Sequence, residues 1–347
     1  MPFTPFHTAL GGLLLHLSTS STLADAGRVL GISGILDGAV LGGREHWRWG
    51  VVAGLLLGPV VARMTGLSEF MPDPGVGMWA AQSVGRLGVA GFLVGLGSKL
   101  GSGCTSGHLL CGVSRWSPRS IIASATFFTT ALITANAFQA PADSDKPAYT
   151  MALPSTPAAV LLLLVVGGIF LVNRARRRLL TSLSEPPQAV RIVPYFLAGL
   201  TFSLGLSLSG MISPLKVISF LRILPPWTAF DPSLAIIILT GVLPNALHYA
   251  HFTSNSDTSN GKPKTRLAWE SWQIPHRTDI DWKLLLGAAL FGVGWGLGGV
   301  CPGPAIVSLG QIVVNGFTGA HVSGALRGWV AFMGPLLAGL RVARAFV

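Results

Sequence analysis

Two of the three cysteines in this chain stand at the same place in a repeated pattern. Gly95-Leu-Gly-Ser-Lys-Leu-Gly-Ser-Gly-Cys104 aligns without gaps on Gly292-Val-Gly-Trp-Gly-Leu-Gly-Gly-Val-Cys301. Glycines match easily in a glycine-rich chain, but Leu100 with Leu297 and Cys104 with Cys301 fall in the same register. Glycines before a cysteine let the backbone leave a helix and approach a ligand without a Cβ clash. Thr105, Ser106, Gly107 and His108 then begin a short helix, whose free N–H groups and positive dipole end favour an anion. Cys301-Pro302-Gly303-Pro304 makes the same kind of start, since proline loses nothing in a first helical turn. A thiol at a helix N-terminus ionises or donates S–H more readily. The pattern therefore points to two facing thiols at a site for a small anion. A buried cysteine can also be a small hydrophobe, and the paired register is what argues against that here. Cys111, seven residues beyond Cys104 and on a similar helical face, has no counterpart in the second copy.

Other candidates surround this pair. Lys99 and Lys216 fall at membrane depth, where a cation is expensive and either attracts an anion or snorkels to an interface. Lys216, inside Leu208-Ser-Gly-Met211-Ile-Ser-Pro214-Leu-Lys216, is placed with the site. Cys104, His108 and Cys111 with Cys301 could offer thiolates and an imidazole to a soft metal, though the spacing matches no common zinc pattern. No cofactor is implied. There is no phosphate-binding loop and no carboxylate pair at membrane depth, which argues against ATP-driven pumping by this chain alone.

The elements that must hold these residues are membrane helices. Half of the 347 residues are hydrophobic and only 11% are charged, less than half the charge of an ordinary soluble surface. Apolar stretches of the length needed to cross a bilayer are expected at 8–24, 47–63, 79–99, 119–138, 152–172, 191–207, 233–251, 282–299 and 322–341. Short segments near 30–42, 104–115, 209–222 and 301–314 are too short to span. Each lies beside a glycine cluster, and non-helical backbone at membrane depth must face protein or water. The expected fold is all-α: about nine transmembrane helices plus four short re-entrant or broken helices. No Lys or Arg precedes Arg28, so the first stretch reads as a retained helix rather than a secretory signal.

The layout divides into an N-terminal half (1–140), a linking helix with a basic loop (141–190), and a C-terminal half (191–347). A weaker echo pairs Ser33-Gly34 with Ser209-Gly210. One odd span between the halves inverts the second relative to the first. Charge supports that parity. If the short elements return to the side they left, one side collects Arg28, Arg44, Arg48, Arg115, Arg119, the Arg174–Arg178 run, Arg266, Arg277 and Arg344. The other side has Arg63, Arg86 and Lys146 among Glu69, Asp73, Asp143 and Asp145. A cytoplasmic excess of cations puts the N-terminus outside and the C-terminus in the cytoplasm, in a plasma (inner) membrane. It also accounts for the net charge of +11 without nucleic acid. The 252–281 connection and the Arg174–Arg178 run are read as a solvated loop and a topology anchor.

These motifs resemble the YeeE/YedE family of sulfur transporters. The residues that carry the resemblance are Gly103-Cys-Thr-Ser-Gly-His108 with Cys111-Gly-Val-Ser-Arg115, Leu208-Ser-Gly-Met211 with Pro214 and Lys216, and Gly294-Trp-Gly-Leu297 with Cys301-Pro-Gly-Pro304. It covers about 30–138 and 191–340. The resemblance implies an hourglass-shaped inverted repeat that takes up thiosulfate or a related species, passed along by transient S–H···S contacts at Cys104 and Cys301. A third pathway cysteine of the thiosulfate branch falls where this chain has Gly31. That departure leaves a two-cysteine path, or one helped by Cys111, and brings sulfide, polysulfide and sulfite into consideration. A sulfur-carrier or sulfurtransferase protein is an expected partner besides the bilayer. The alternative classes are a membrane sulfurtransferase with a persulfide on Cys104, and a soft-metal carrier.

Overall fold

The computed structural model describes residues 2–43, 45–138, 150–225, 230–255, 258–259, 262–275, 277–316 and 322–347. Arg44, Asp143, Asp145 and Lys146, which enter the charge comparison, lie outside them, as does the boundary expected near residue 140.

The protein is an all-α membrane protein. In chain order the helices are α1 (Pro5–Ala26), α2 (Ile32–Val40), α3 (His46–Met64), α4 (Gly77–Ala81), α5 (Val84–Leu100), a π-helical segment (Ser106–Gly112), α6 (Pro118–Phe138), α7 (Thr156–Thr181) and α8 (Gln188–Ser209). They continue with α9 (Pro214–Leu221), α10 (Leu243–Asn255), α11 (Trp282–Gly298), α12 (Pro302–Gly316) and α13 (Val322–Ala343). Helical turns from Pro232 lead into α10. Among the described residues five stretches are both long and apolar enough to cross a bilayer: Pro118–Phe138, Thr156–Thr181, Gln188–Ser209, Pro232–Ser254 and Trp282–Gly316. Two-residue bridges add little; Pro2–Phe3 pairs in parallel with Thr150–Met151.

Four junctions turn a long helix into a short one, and each uses a residue in the left-handed region. Gly27 ends α1, Gly210 ends α8 and Gly299 ends α11, with φ of 63°, 74° and 69°. After α5 the same turn falls on Ser102, at φ 61°. Ser102 and Gly299 are aligned positions of the Gly/Cys repeat. The weaker echo does not describe equivalent positions: Ser33-Gly34 lies inside α2, whereas Ser209-Gly210 closes α8.

Glycine also sets the helix spacing. A Cβ at Gly91 or Gly95 on α5 would stand 2.1 or 2.0 Å from the carbonyl oxygens of Phe332 and Leu336 on α13. At Gly54 and Gly199 it would meet backbone across the α3–α8 crossing at 2.2 Å. Membrane helices gain little from apolar transfer out of lipid, and close backbone approach takes its place. The resulting contacts are reciprocal: α1 packs on α8 and α5 on α11, while α5 also packs on α13 and α11 on α6. The π-helical segment, α2, α9 and α12 are enclosed by these crossings.

Candidate functional site

Cys104 and Cys301 occupy equivalent local positions. The Cys104 carbonyl accepts the His108 N–H at 2.9 Å, and the Cys301 carbonyl accepts the Ala305 N–H at 3.1 Å. Each thiol thus stands at the residue that opens a short helix. Both are buried, and both line one cavity of about 50 Å³, room for a few waters or one small solute. Thr105 joins the two cysteine segments, its hydroxyl lying 3.6 Å from the Cys301 sulfur. The Cys104 sulfur lies 3.3 Å from the Ser106 hydroxyl, which also accepts the Ile32 N–H at 3.0 Å. Gly303 and Pro304 line the cavity beside Cys301, and Leu15, Ile32, Leu109, Leu110, Phe202 and Leu206 make much of the rest of the wall apolar. Met211 is there too, a third sulfur that the cysteine pattern did not single out.

The other candidates separate from this pair. Gly107 faces a different cavity of about 320 Å³, lined also by Gly31, Arg28, Arg48, Arg115 and Arg119. A Cβ on Gly107 would be 3.8 Å from the Gly31 Cα, so α2 and the π-helical segment meet backbone to backbone between the two cavities. His108 has both ring nitrogens engaged, with the Gly101 carbonyl at 2.9 Å and the Ser120 hydroxyl at 3.1 Å. It ties the turn before Cys104 to α6. Cys111 lines a third cavity of about 20 Å³ with Thr19, Asn245 and Tyr249. The expectation that it shares a face with Cys104 fails because the segment is π-helical, and i→i+5 bonding rotates successive side chains away from the α-helical register. The four-ligand metal arrangement is therefore not assembled: His108 and Cys111 point elsewhere, and among the described residues no three His, Cys, Asp or Glu side chains cluster.

Lys216 is buried but does not line the central cavity. Its ammonium donates to the Thr4 hydroxyl and lies 3.7 Å from Asp231, itself 1% exposed. Lys99 likewise bonds Asp37 at 2.9 Å, and Arg344 bonds the other oxygen of Asp37 at 2.9 Å. Lys216 is thus paired with Asp231 and Lys99 shares Asp37 with Arg344, and the anion-attracting role expected of Lys216 is not its position here. Asp231 was hidden from sequence reading because it sits in the connection after α9, whose return to Lys216 no helical spacing indicates. Asn245 was missed for the same reason: it caps the Leu110 carbonyl at 3.0 Å and bonds His16 at 2.8 Å, pinning the π-helical segment to α1 and α10.

Fold and site together define an integral membrane protein with a thiol-lined chamber at the meeting of short helices. Residues 190–340 match a family of unknown function, DUF6691. A protein of Xylella fastidiosa strain Temecula1 named "Probable transporter" is 42% identical over 130 residues, which is 38% of this chain and 92% of that protein. Another protein of that name, from strain 9a5c, is 41% identical over 112 residues, 32% of this chain and 70% of its own length. The chain belongs to the family of these proteins.

Proposed function

We propose that this protein is a membrane transporter that takes up a small sulfur-containing anion, with Cys104 and Cys301 contacting the substrate. The observation that carries the reading is the shared chamber: two thiols from separate parts of the chain, two hydroxyls, and an otherwise apolar, polarisable wall. A hard, strongly hydrated anion would lose more on entering such a wall than it regains. A soft anion that accepts S–H and O–H donors loses less, and the resemblance to the YeeE/YedE family favours thiosulfate or a related sulfide, polysulfide or sulfite. The names of the Xylella fastidiosa relatives support transport itself.

A relative matched over nearly its whole length by 38% of this chain supports a fusion of two halves, 1–140 and 191–347, joined through 141–190. The reciprocal helix contacts and the left-handed residues at Ser102 and Gly299 support an inverted repeat. Orientation follows from the mouths. One opens among Arg28, Arg48, Arg115, Arg119 and Arg277, and is cytoplasmic by the positive-inside rule. A cavity of about 640 Å³ bordered by Arg63, Glu69, Asp73 and Gln311 is the outer one, on the side of the N-terminus.

Uptake into proteoliposomes, tested with a panel of sulfur anions, decides the reading. Cys104→Ala and Cys301→Ala each abolish flux while the protein still purifies as a folded species, and Cys111→Ala retains it. Normal flux in both of the first two variants would end the role of the thiols. A persulfide on Cys104 with turnover but no flux would favour the sulfurtransferase reading instead.

A further inference from the structure

Asp25, at the end of α1, is 2% exposed and has three guanidiniums around it. Arg176 of α7 bonds it at 2.7 Å, Arg177 lies 3.2 Å away, and Arg266, from the segment after α10, lies 3.8 Å away. Among the described residues no other carboxylate pairs with any of the three. The cluster therefore carries two uncompensated positive charges. The side chain of Arg176 is only 9% exposed, yet its Nε makes no hydrogen bond, and neither does Nη1 of Arg266. Arg266 rests on the Phe252 ring, 5.2 Å from its centroid, which offsets part of one charge.

The surroundings say where the missing anion comes from. α7 is the least enclosed of the long apolar helices, with 11% of its best spanning window buried. Leu171 and Val172, one turn before the arginines, are 69% and 62% exposed, and Leu179, one turn after Arg176, is 71% exposed. The cluster thus lies where the apolar, exposed stretch of α7 gives way to the exposed Arg174 and Arg178, the depth of a lipid headgroup. Like charges gathered on so buried a carboxylate repel more strongly than at an open surface, because water screens them less. Arg177 and Arg266 remain about a third exposed, so a negative group arriving from the lipid side can reach them. Basic pockets between transmembrane helices bind acidic lipid headgroups by this means.

We infer that Arg176, Arg177 and Arg266, gathered by Asp25 at the seam of α1 and α7, form a binding site for the phosphate of an anionic phospholipid. The lipid completes the neutralisation that Asp25 begins and fastens α7, the link between the two halves, to α1. The site is separate from the thiol-lined chamber and does not depend on what the chamber carries.

The test uses full-length protein, delipidated in detergent, with thermal unfolding and native mass spectrometry as readouts. Phosphatidylglycerol raises the unfolding temperature and stays bound in the gas phase, whereas phosphatidylcholine does neither. The double variant Arg177→Gln/Arg266→Gln, which leaves Arg176 on Asp25, weakens phosphatidylglycerol binding about thirtyfold. Its own folding is checked by size-exclusion chromatography and by lipid-free unfolding that stays cooperative and is no less stable than the parent's. Equal stabilisation by phosphatidylcholine, or unchanged phosphatidylglycerol affinity in the variant, would overturn the site. Stabilisation by inorganic phosphate alone, at equal strength, would overturn the lipid as its source.

Discussion

Ser102 holds a left-handed backbone that glycine supplies at the three comparable junctions. An L-residue there costs about 1 kcal/mol more than glycine, and the Ser102 side chain is exposed. Ser102→Gly should raise the unfolding temperature in detergent and leave uptake intact. A change in uptake rate would instead show that the tight turn before Cys104 sets the position of the thiol. Gly31 has an ordinary extended conformation, φ −90° and ψ 100°. A Cβ there would be 3.7 Å from the Gly107 Cα, within normal contact. Gly31→Cys should therefore fold and add a thiol at the boundary between the arginine-lined cavity and the chamber. Its expected effect is a shift of preference toward thiosulfate, read as competition among anions in the uptake assay. The same preference in variant and parent would remove Gly31 as the specificity-setting position. At this scale the cysteine register was legible in the sequence, because both thiols follow matching glycines. The isolation of Cys111 was not, because α- and π-helical turns share the same residues.

Among the helices, the glycines have two jobs that sequence reading merged into one. Those at Gly27, Gly210 and Gly299 end helices, as broken elements require. Gly91, Gly95, Gly292 and Gly294 lie inside α5 and α11 and serve close crossings. Gly95→Val should abolish the folded species in size-exclusion chromatography, since its Cβ collides with backbone rather than with a movable side chain. Recovery of normally folded, active protein would show that α5 and α13 can separate without loss. The Lys216–Asp231 pair makes a different claim on the same elements, joining α9 to the loop before α10. Removing one partner of a buried pair strands the other charge, at about 3–5 kcal/mol. Lys216→Met should lower stability by that order, and adding Asp231→Asn should restore most of it along with uptake. Stable but inactive double variants would return Lys216 to the transport path.

For the molecule as a whole, the distribution of arginines predicts a topology that labelling can read. In intact cells, on a background without native cysteines, an impermeant maleimide should label Ser68→Cys and spare Ser184→Cys. The reverse pattern would invert the proposed orientation. The all-α membrane class, the approximate places of the helices and the common register of Cys104 and Cys301 followed from the sequence by itself. They depend on hydropathy, chain order and repeated residues, all local or linear properties. Only the tertiary structure decided that Lys99 and Lys216 are already satisfied by Asp37 and Asp231, that Met211 joins the chamber, and that three arginines share Asp25. Those outcomes turn on which distant segments meet, and in lipid that is set by the backbone-close crossings of glycine-bearing helices, whose partners no linear pattern names.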